Sequence, residues 1–329
     1  MNTSKQFHMM PVQFGPIAGD TSSVFATGDK TDVTVQIEVD TEAARSLLPT
    51  WQGSDGKTYG FRPWSIGPSG QAMLMVNYTQ ERDVDYMAGG GYNEVEFYLS
   101  AEFIGENPWL HEGISYSGAY GMFAVLLLPS SLIPLLVGRD VLGTPKLLAD
   151  VKNFILGDIT AGDEGRCGSF QVHDEQDEPF LAGLLRNIRT APAEMLEEPM
   201  PAHEPLPAES GWGVCDRFED GVTVMLWKYV AAANWADAPP DLCYAVAARV
   251  GDAPTTELIE PLVGDGSIVF PKNIDSRAHP DIAPPIAALK KLIEEHGRPF
   301  PGNVLIRRYR NVYRSQDLHI MDGPRPPRA

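Results

Sequence analysis

The segment from Gly138 to Leu148 reads GRDVLGTPKLL and places a single lysine, Lys146, between a proline and two leucines. A lysine that attacks a carbonyl group must first lose a proton, and burial among apolar groups penalises its charged form. The neutral amine can then form an imine with a ketone, which weakens the neighbouring C–COO⁻, C–H or C–C bond. The segment therefore predicts either a Schiff-base lysine or a lysine that reaches solvent from a strand end.

The composition limits the classes to which the protein can belong. The chain has 329 residues, of which 43% are hydrophobic and 21% charged, and its formal net charge is −18. These values predict a globular chain with a sizeable core and argue against a nucleic-acid partner, because phosphate binding needs a basic surface. The three cysteines are far apart and form no CxxC pair, which fits a reducing cytoplasm. The N-terminal residues carry no apolar core of signal-peptide length.

The most apolar segment runs from Met122 to Gly138 and is interrupted by prolines at its centre. It is slightly short for a membrane span. We interpret it as two buried strands joined by a turn and expect no membrane association.

The remaining patterns predict an α+β chain with mostly antiparallel strands. A short helix is expected after Asp40, another at 180–188, and the clearest helix at 281–296, with prolines at its start and a glycine as its stop. Residues 190–211 contain five prolines, five glutamates and neither lysine nor arginine, which is typical of a solvated connector. We expect one domain over residues 1–329 that includes this connector. Strands are predicted at 32–39, 72–79, 93–103, 119–128, 221–235, 242–250 and 303–321.

Several common site motifs are absent from the sequence. It contains no Walker loop, HExxH, GxSxG or dinucleotide fingerprint, and its seven histidines lack metal-ligand spacing. We therefore expect neither a metal nor a cofactor.

Three segments, taken in order, resemble the acetoacetate decarboxylase family. Residues 135–148, LLVGRDVLGTPKLL, resemble its active-site segment, in which an apolar strand precedes Gly-Arg-acid and then Pro-Lys. The YNE sequence at 92–94 is similar to a Tyr-x-Glu motif that carries an active-site glutamate. FGPIAG and VTVQIEVDTEAARSLLP are similar to the opening strand and helix of that family. The resemblance covers residues 12 to 180 and implies a mostly antiparallel sheet or cone-like barrel with a few flanking helices.

The resemblance also implies roles for individual residues. Lys146 would form the Schiff base, and Glu94 would position the substrate or relay a proton. The family's substrate-binding arginine falls near Lys30. Tyr92 and Thr144 would line the substrate site, while Arg139, Asp140 and Pro145 would have structural roles beside it.

Three departures from the family pattern leave the reaction open. Leu147 stands where the decarboxylase has a second lysine, Thr144 replaces an aromatic residue, and segment 72–79 has no glutamate. The alternatives are a decarboxylase of a small β-keto or α-keto acid, an aldolase-dehydratase for pyruvate-like substrates and aldehydes, and a non-catalytic binding protein. A buried Lys146 facing Glu94 across a cavity favours an enzyme, whereas a collapsed cavity or a lysine fully paired in a salt bridge favours a binding protein. The resemblance further implies a homo-oligomer that takes a small keto acid, and from the cysteine count we expect a cytoplasmic location.

Overall fold

The computed structural model of the chain describes fifteen ranges, listed at the end of this paragraph. Within them the architecture is α+β, dominated by antiparallel strands with few helices, which confirms the fold class expected from the sequence. No helix in these ranges has the length and apolar character needed to cross a membrane. The ranges are 24–52, 56–84, 87, 89–104, 120–138, 145–152, 168–173, 179–186, 222–230, 242–250, 257–258, 267–269, 283–298, 304–314 and 318–321.

The elements follow one another in this order along the chain. The strands are β1 (Val24–Val39), β2 (Thr50–Gln52), β3 (Thr58–Pro63), β4 (Ala72–Val84), β5 (Gly90–Ile104), β6 (Tyr120–Pro129), β7 (Asp150–Lys152), β8 (Gly168–His173), β9 (Pro179–Arg186), β10 (Val222–Val230), β11 (Leu242–Val250), β12 (Glu257–Leu258), β13 (Ser267–Val269), β14 (Gly297–Arg298), β15 (Val304–Arg314) and β16 (Leu318–Met321). The helices are α1 (Thr41–Ala44), followed by a 3₁₀ turn (Arg45–Leu47), α2 (Leu132–Val137) and α3 (Ala283–His296).

The larger sheet has the strand order β12-β15-β1-β4-β5-β6-β10-β11-β16, with β14 beside β1 and the β2–β3 hairpin beside β5. Among the described strands only β6 and β10 pair in parallel. Among the described strands, the larger sheet begins at β12 and ends at β16, and these two edge strands do not pair with each other. A smaller sheet has the order β13-β9-β8-β7.

The central strands bury one face in an apolar core. Successive side chains of a strand point to opposite faces, so the alternating apolar residues of β1, β4 and β5 lie together. Helix α3 adds an apolar stripe with helical spacing, and Gly297 follows it where an added Cβ would collide with the carbonyl oxygen of Ile293. The core includes Val33, Val35, Ile37, Leu74, Val76, Tyr78, Val95, Phe97, Leu99, Ile286, Leu289, Leu292 and Ile293.

Two secondary-structure predictions are wrong. The second half of the apolar segment 122–138 is helix α2 instead of a strand, and Pro134 is tolerated there because the first turn of a helix leaves its N–H groups without helical partners. The helix expected at 180–188 is strand β9, which pairs with β8 and β13. Its short apolar run fits both periods, and long-range strand pairing decides between them. The connector at 190–211 lies outside the described residues.

Candidate active site

The face of the large sheet opposite the apolar core carries buried polar side chains. Backbone register places Thr34 of β1 opposite Asn77 of β4, and Asn77 opposite Glu96 of β5. Glu96 in turn is opposite Leu127 of β6, which bridges to Lys146. Because residues directly opposite each other point to the same face, this register brings polar groups from four segments together.

Lys146 is held beside β6 by backbone hydrogen bonds on both sides of it. The Leu127 N–H donates to the Pro145 carbonyl at 2.9 Å, and the Leu147 N–H donates to the Leu127 carbonyl at 3.0 Å. Leu147 packs against the apolar core, whereas Lys146 contacts Glu94 on the polar face. Leu148 is 49% exposed. The expectation that these two leucines enclose the amine is therefore wrong, because one faces the core and the other faces solvent.

The Lys146 Nζ lies 2.8 Å from the Glu94 Oε1, and the two side chains are only 8% and 2% exposed. The separation is that of an ion pair, but this oxygen accepts no hydrogen bond of ordinary geometry from the described part of the chain. A buried polar atom left in this way is costly, and such atoms are uncommon in folded proteins.

Burial raises the pKa of Glu94 from 4.5 to about 7. The charge of Lys146 opposes this rise, and the negative charge of Glu96 adds to it. A carboxyl group with a pKa near the working pH can both accept and donate a proton, which is what general acid–base catalysis requires. The arrangement is suited to moving a proton between Glu94 and the amine of Lys146.

A second buried pair lies on the same face. The Lys30 Nζ is 3.3 Å from the Glu96 Oε1 and 3.5 Å from its Oε2. The Asn77 Nδ2 donates to the Glu96 Oε2 at 3.0 Å, and the Thr34 Oγ1 donates to the Asn77 Oδ1 at 2.8 Å. Since a carboxylate only accepts hydrogen bonds, the direction of every bond in this chain is determined.

The structure brings together several of the residues singled out in the sequence. Lys30, Glu94 and Lys146 are buried on one face, and Tyr92 is buried two residues before Glu94 on β5. Pro145 is half-buried and supports Lys146 through its carbonyl. The other three, Arg139, Asp140 and Thr144, lie outside the described residues.

Sequence reasoning missed Glu96, Asn77 and Thr34. Glu94 and Glu96 are two residues apart within a predicted strand, a spacing that places both side chains on one face. Asn77 was detectable as an amide within the largely apolar segment AMLMVNYT. The glutamate that the family resemblance expects on this segment is absent, whereas Glu96 on the neighbouring strand contacts Asn77. In the described ranges no group of three or more His, Cys, Asp or Glu side chains could hold a metal ion.

Comparison with known proteins identifies the fold. No protein-family model matches the sequence, and no curated protein sequence matches it. An acetoacetate decarboxylase structure is similar at 13% identity, with 94% of each chain covered and a TM-score of 0.52. The acetoacetate decarboxylase of Legionella pneumophila is similar at 14% identity, with 94% of this chain and 90% of that one covered and a TM-score of 0.48. The first of these structures, with a TM-score of 0.52, shows that the chain has the acetoacetate decarboxylase fold, as the resemblance in its sequence predicts.

A further similar structure is that of the enduracididine biosynthesis enzyme MppR. It was solved with the condensation product of pyruvate and imidazole 4-carboxaldehyde. The two sequences are 15% identical, 95% of this chain and 97% of that chain are covered, and the TM-score is 0.47.

Proposed function

We propose that this protein is a Schiff-base lyase that uses Lys146 to bind a small β-keto or α-keto acid. The observation that carries the proposal is the buried contact of 2.8 Å between the Lys146 Nζ and the Glu94 Oε1. A nucleophilic lysine needs a nearby group that can take its proton, and burial gives Glu94 a pKa of about 7 for that task.

In the proposed reaction, Glu94 first takes a proton from the Lys146 ammonium, and the free amine attacks the ketone carbon of the substrate. Two of the three ammonium protons leave with the carbonyl oxygen as water, and the third stays on the iminium nitrogen. For a β-keto acid, the electrons of the C–COO⁻ bond then move to the iminium, which releases CO₂ and leaves an enamine. Glu94 is then ionised again, because the proton that it took has left with the water; it picks up a proton from solvent and passes it to the enamine carbon, and hydrolysis restores the lysine.

Lys30 is the proposed partner of the substrate carboxylate. It is buried on the same face, but it already contacts both oxygens of Glu96. A substrate anion that binds Lys30 must therefore share this cation with Glu96. This competition favours a substrate with one carboxylate over one with two, because the negative charges of Glu94 and Glu96 repel a second anion.

An aldolase-dehydratase is the second candidate, and the raised pKa of Glu94 is the observation that favours it. The same imine, formed with pyruvate, can lose a proton from its methyl carbon to Glu94 and become an enamine. The enamine carbon then attacks an aldehyde, and loss of water follows. Glu94 is close enough to the lysine nitrogen to act on an adjacent carbon.

A non-catalytic binding protein is the alternative from another class. Its support is the close contact between Lys146 and Glu94, since a lysine that stays charged against a carboxylate cannot attack a ketone. The feature that argues against a binding protein is the Glu94 Oε1, which accepts no hydrogen bond of ordinary geometry from the described residues.

The test is borohydride trapping with pyruvate or acetoacetate, read by intact mass. We expect the wild-type protein to gain the mass of one reduced adduct and Lys146→Ala to gain none. Lys291→Ala is the matched control, because that side chain is 64% exposed on α3 and should not affect labelling. Equal labelling of wild type and Lys146→Ala overturns the proposal.

Products then separate the two reactions. Release of CO₂ from acetoacetate identifies the decarboxylase, and a condensation product from pyruvate and an aldehyde identifies the aldolase-dehydratase. Binding of pyruvate without any adduct supports the binding protein.

A further inference from the structure

We propose that Glu96 is a positioning residue of the same site, a locked negative charge that controls how readily Glu94 holds a proton. The inference rests on the proposed function for its consequence in catalysis, but not for its first test. It concerns a residue for which the sequence offered no role.

Glu96 is locked in place from two neighbouring strands. Lys30 reaches it from β1, and Asn77 donates to it from β4 with Thr34 fixing the far side of the amide. All four side chains are buried. An ionised carboxylate that accepts hydrogen bonds from a lysine and an amide has its charge stabilised and its orientation fixed.

Glu96 acts on Glu94 because the two lie on the same face of β5. Residues two apart in a strand have their Cα atoms about 7 Å apart and their side chains pointing the same way. A second negative charge at such a distance in a buried site opposes ionisation of the first. The Glu96 charge accordingly contributes to the raised pKa of Glu94, and it does so more strongly than Lys30 lowers that pKa.

Other charged groups face Glu94 as well. Lys146 is in direct contact with it, and its positive charge favours the ionised carboxylate. Glu81 on β4 and Tyr92 on β5 are also buried on this face. Among these groups, Glu96 combines a position on the strand of Glu94 with a clamp formed by two other strands.

The first test needs no substrate. A carboxyl group whose pKa is higher in the folded protein makes stability fall as pH rises, until the folded-state pKa is passed. We expect the free energy of unfolding, measured in urea from pH 4 to 9, to fall as the pH rises and to level off near pH 7 in the wild type. We call the pH at which it levels off the upper end of the fall. Glu96→Gln should move that upper end down by about one pH unit, the order expected for two charges about 7 Å apart in a medium of intermediate polarity.

Glu102→Gln is the matched control. Glu102 is on the same strand and paired with Arg62 at 2.6 Å, but six residues further along, so it should leave the upper end unchanged. An upper end that is the same in wild type, Glu96→Gln and Glu102→Gln overturns the inference.

A double variant keeps the test usable if Glu96→Gln alone does not fold. Glu96→Gln with Lys30→Met leaves no unpaired charge from this pair in the buried site. The upper end should still move down, by less than in the single variant, because the opposing effect of Lys30 is lost as well. A double variant with the wild-type upper end contradicts the inference.

The second test measures the rate of borohydride trapping against pH. We expect Glu96→Gln to shift the midpoint of this profile downward by about the same amount, whereas a purely structural role would lower the rate equally at all pH values. If the wild type forms no adduct, the proposed function fails, and the unfolding test still decides the inference about Glu96.

Discussion

Two buried lysine–glutamate pairs lie on one face of the same sheet and differ in the hydrogen bonds that their carboxylates accept. Glu96 faces Lys30 and also accepts a hydrogen bond from Asn77. Glu94 faces Lys146 at a shorter distance, 2.8 Å, but its Oε1 accepts no hydrogen bond of ordinary geometry from the described residues. The first pair is clamped in a chain of polar groups, whereas in the second pair, as far as the described residues go, one carboxylate oxygen lacks a hydrogen bond of ordinary geometry.

The difference shows how similar residue types can serve separate purposes in one buried site. A buried carboxylate with several donors stays ionised at little cost, because the donors replace the water that it loses. For Glu94, burial raises the pKa, and the contact with Lys146 only partly offsets this rise. This difference supports the proposed division, in which the Lys30–Glu96 pair positions and the Lys146–Glu94 pair transfers a proton.

The largest effect should come from removing the lysine of the clamped pair. We expect Lys30→Met to lower the free energy of unfolding by about 3–5 kcal/mol, since it leaves a buried glutamate without its counter-charge. Lys146→Met should cost less near pH 6, because Glu94, with a pKa of about 7, takes up a proton and becomes neutral. Urea unfolding at that pH measures both losses.

The exposed lysine of α3 supplies the control for this comparison. Lys291 is 3.9 Å from Glu295 at the surface, and Lys291→Met should change stability by no more than about 0.5 kcal/mol. Equal losses for Lys30→Met and Lys146→Met at pH 6 would show that the two pairs do not differ as described.

The next effect is on turnover. Glu94→Gln keeps the shape of the side chain but cannot carry a proton to or from the amine, so we expect the reaction to slow by about 100-fold or more. Steady-state assays of the substrate identified by trapping measure this loss. Borohydride should still label Lys146, but more slowly, because solvent must then take the proton that Glu94 takes in the wild type. Glu102→Gln should keep wild-type turnover. Unchanged turnover in Glu94→Gln would remove the proposed role of this residue.

The smallest effect is the pH dependence of stability. The pKa of Glu94 is about 7 in the folded protein and 4.5 ordinarily, so between these values the folded state holds more protons than the unfolded state. Stability due to this group is therefore complete below pH 4.5 and is lost as pH rises through 7, with a slope of at most about 1.4 kcal/mol per pH unit. Glu94→Gln should flatten the unfolding profile in this window. A profile that stays as steep in the variant would place the titrating group elsewhere.

The sequence predicted the architecture better than it predicted individual elements. Alternating apolar residues in 32–39 and 93–103, together with the largely apolar segment 72–79, mark the strands that form the centre of the sheet. Strand β9 and helix α2 were predicted wrongly, since short apolar segments fit either period and their state depends on what they pack against. For β9 that choice comes from pairing with β8, which precedes it closely, and with the more distant β13.

The candidate site also contains residues that the sequence identified and residues that only the structure revealed. The sequence by itself identified Lys146, through its Pro-Lys motif, and Glu94 and Lys30, through the family resemblance. It did not identify the network of Glu96, Asn77 and Thr34, whose members come from three strands. It also assigned Lys146 apolar neighbours, whereas Leu147 packs on the opposite side of the sheet.

What the sequence determined alone was residue type and local spacing: a candidate lysine in a Pro-Lys motif, a candidate glutamate implied by the family resemblance, and a pattern of strands. Tertiary structure decided which charges meet. Register between strands places Glu96 opposite both Asn77 and Leu127, and Leu127 beside Lys146. Register depends on hydrogen bonds between segments far apart in the chain, and a slip of one residue would turn every side chain to the other face. Burial, and with it the raised pKa of Glu94, follows from that register.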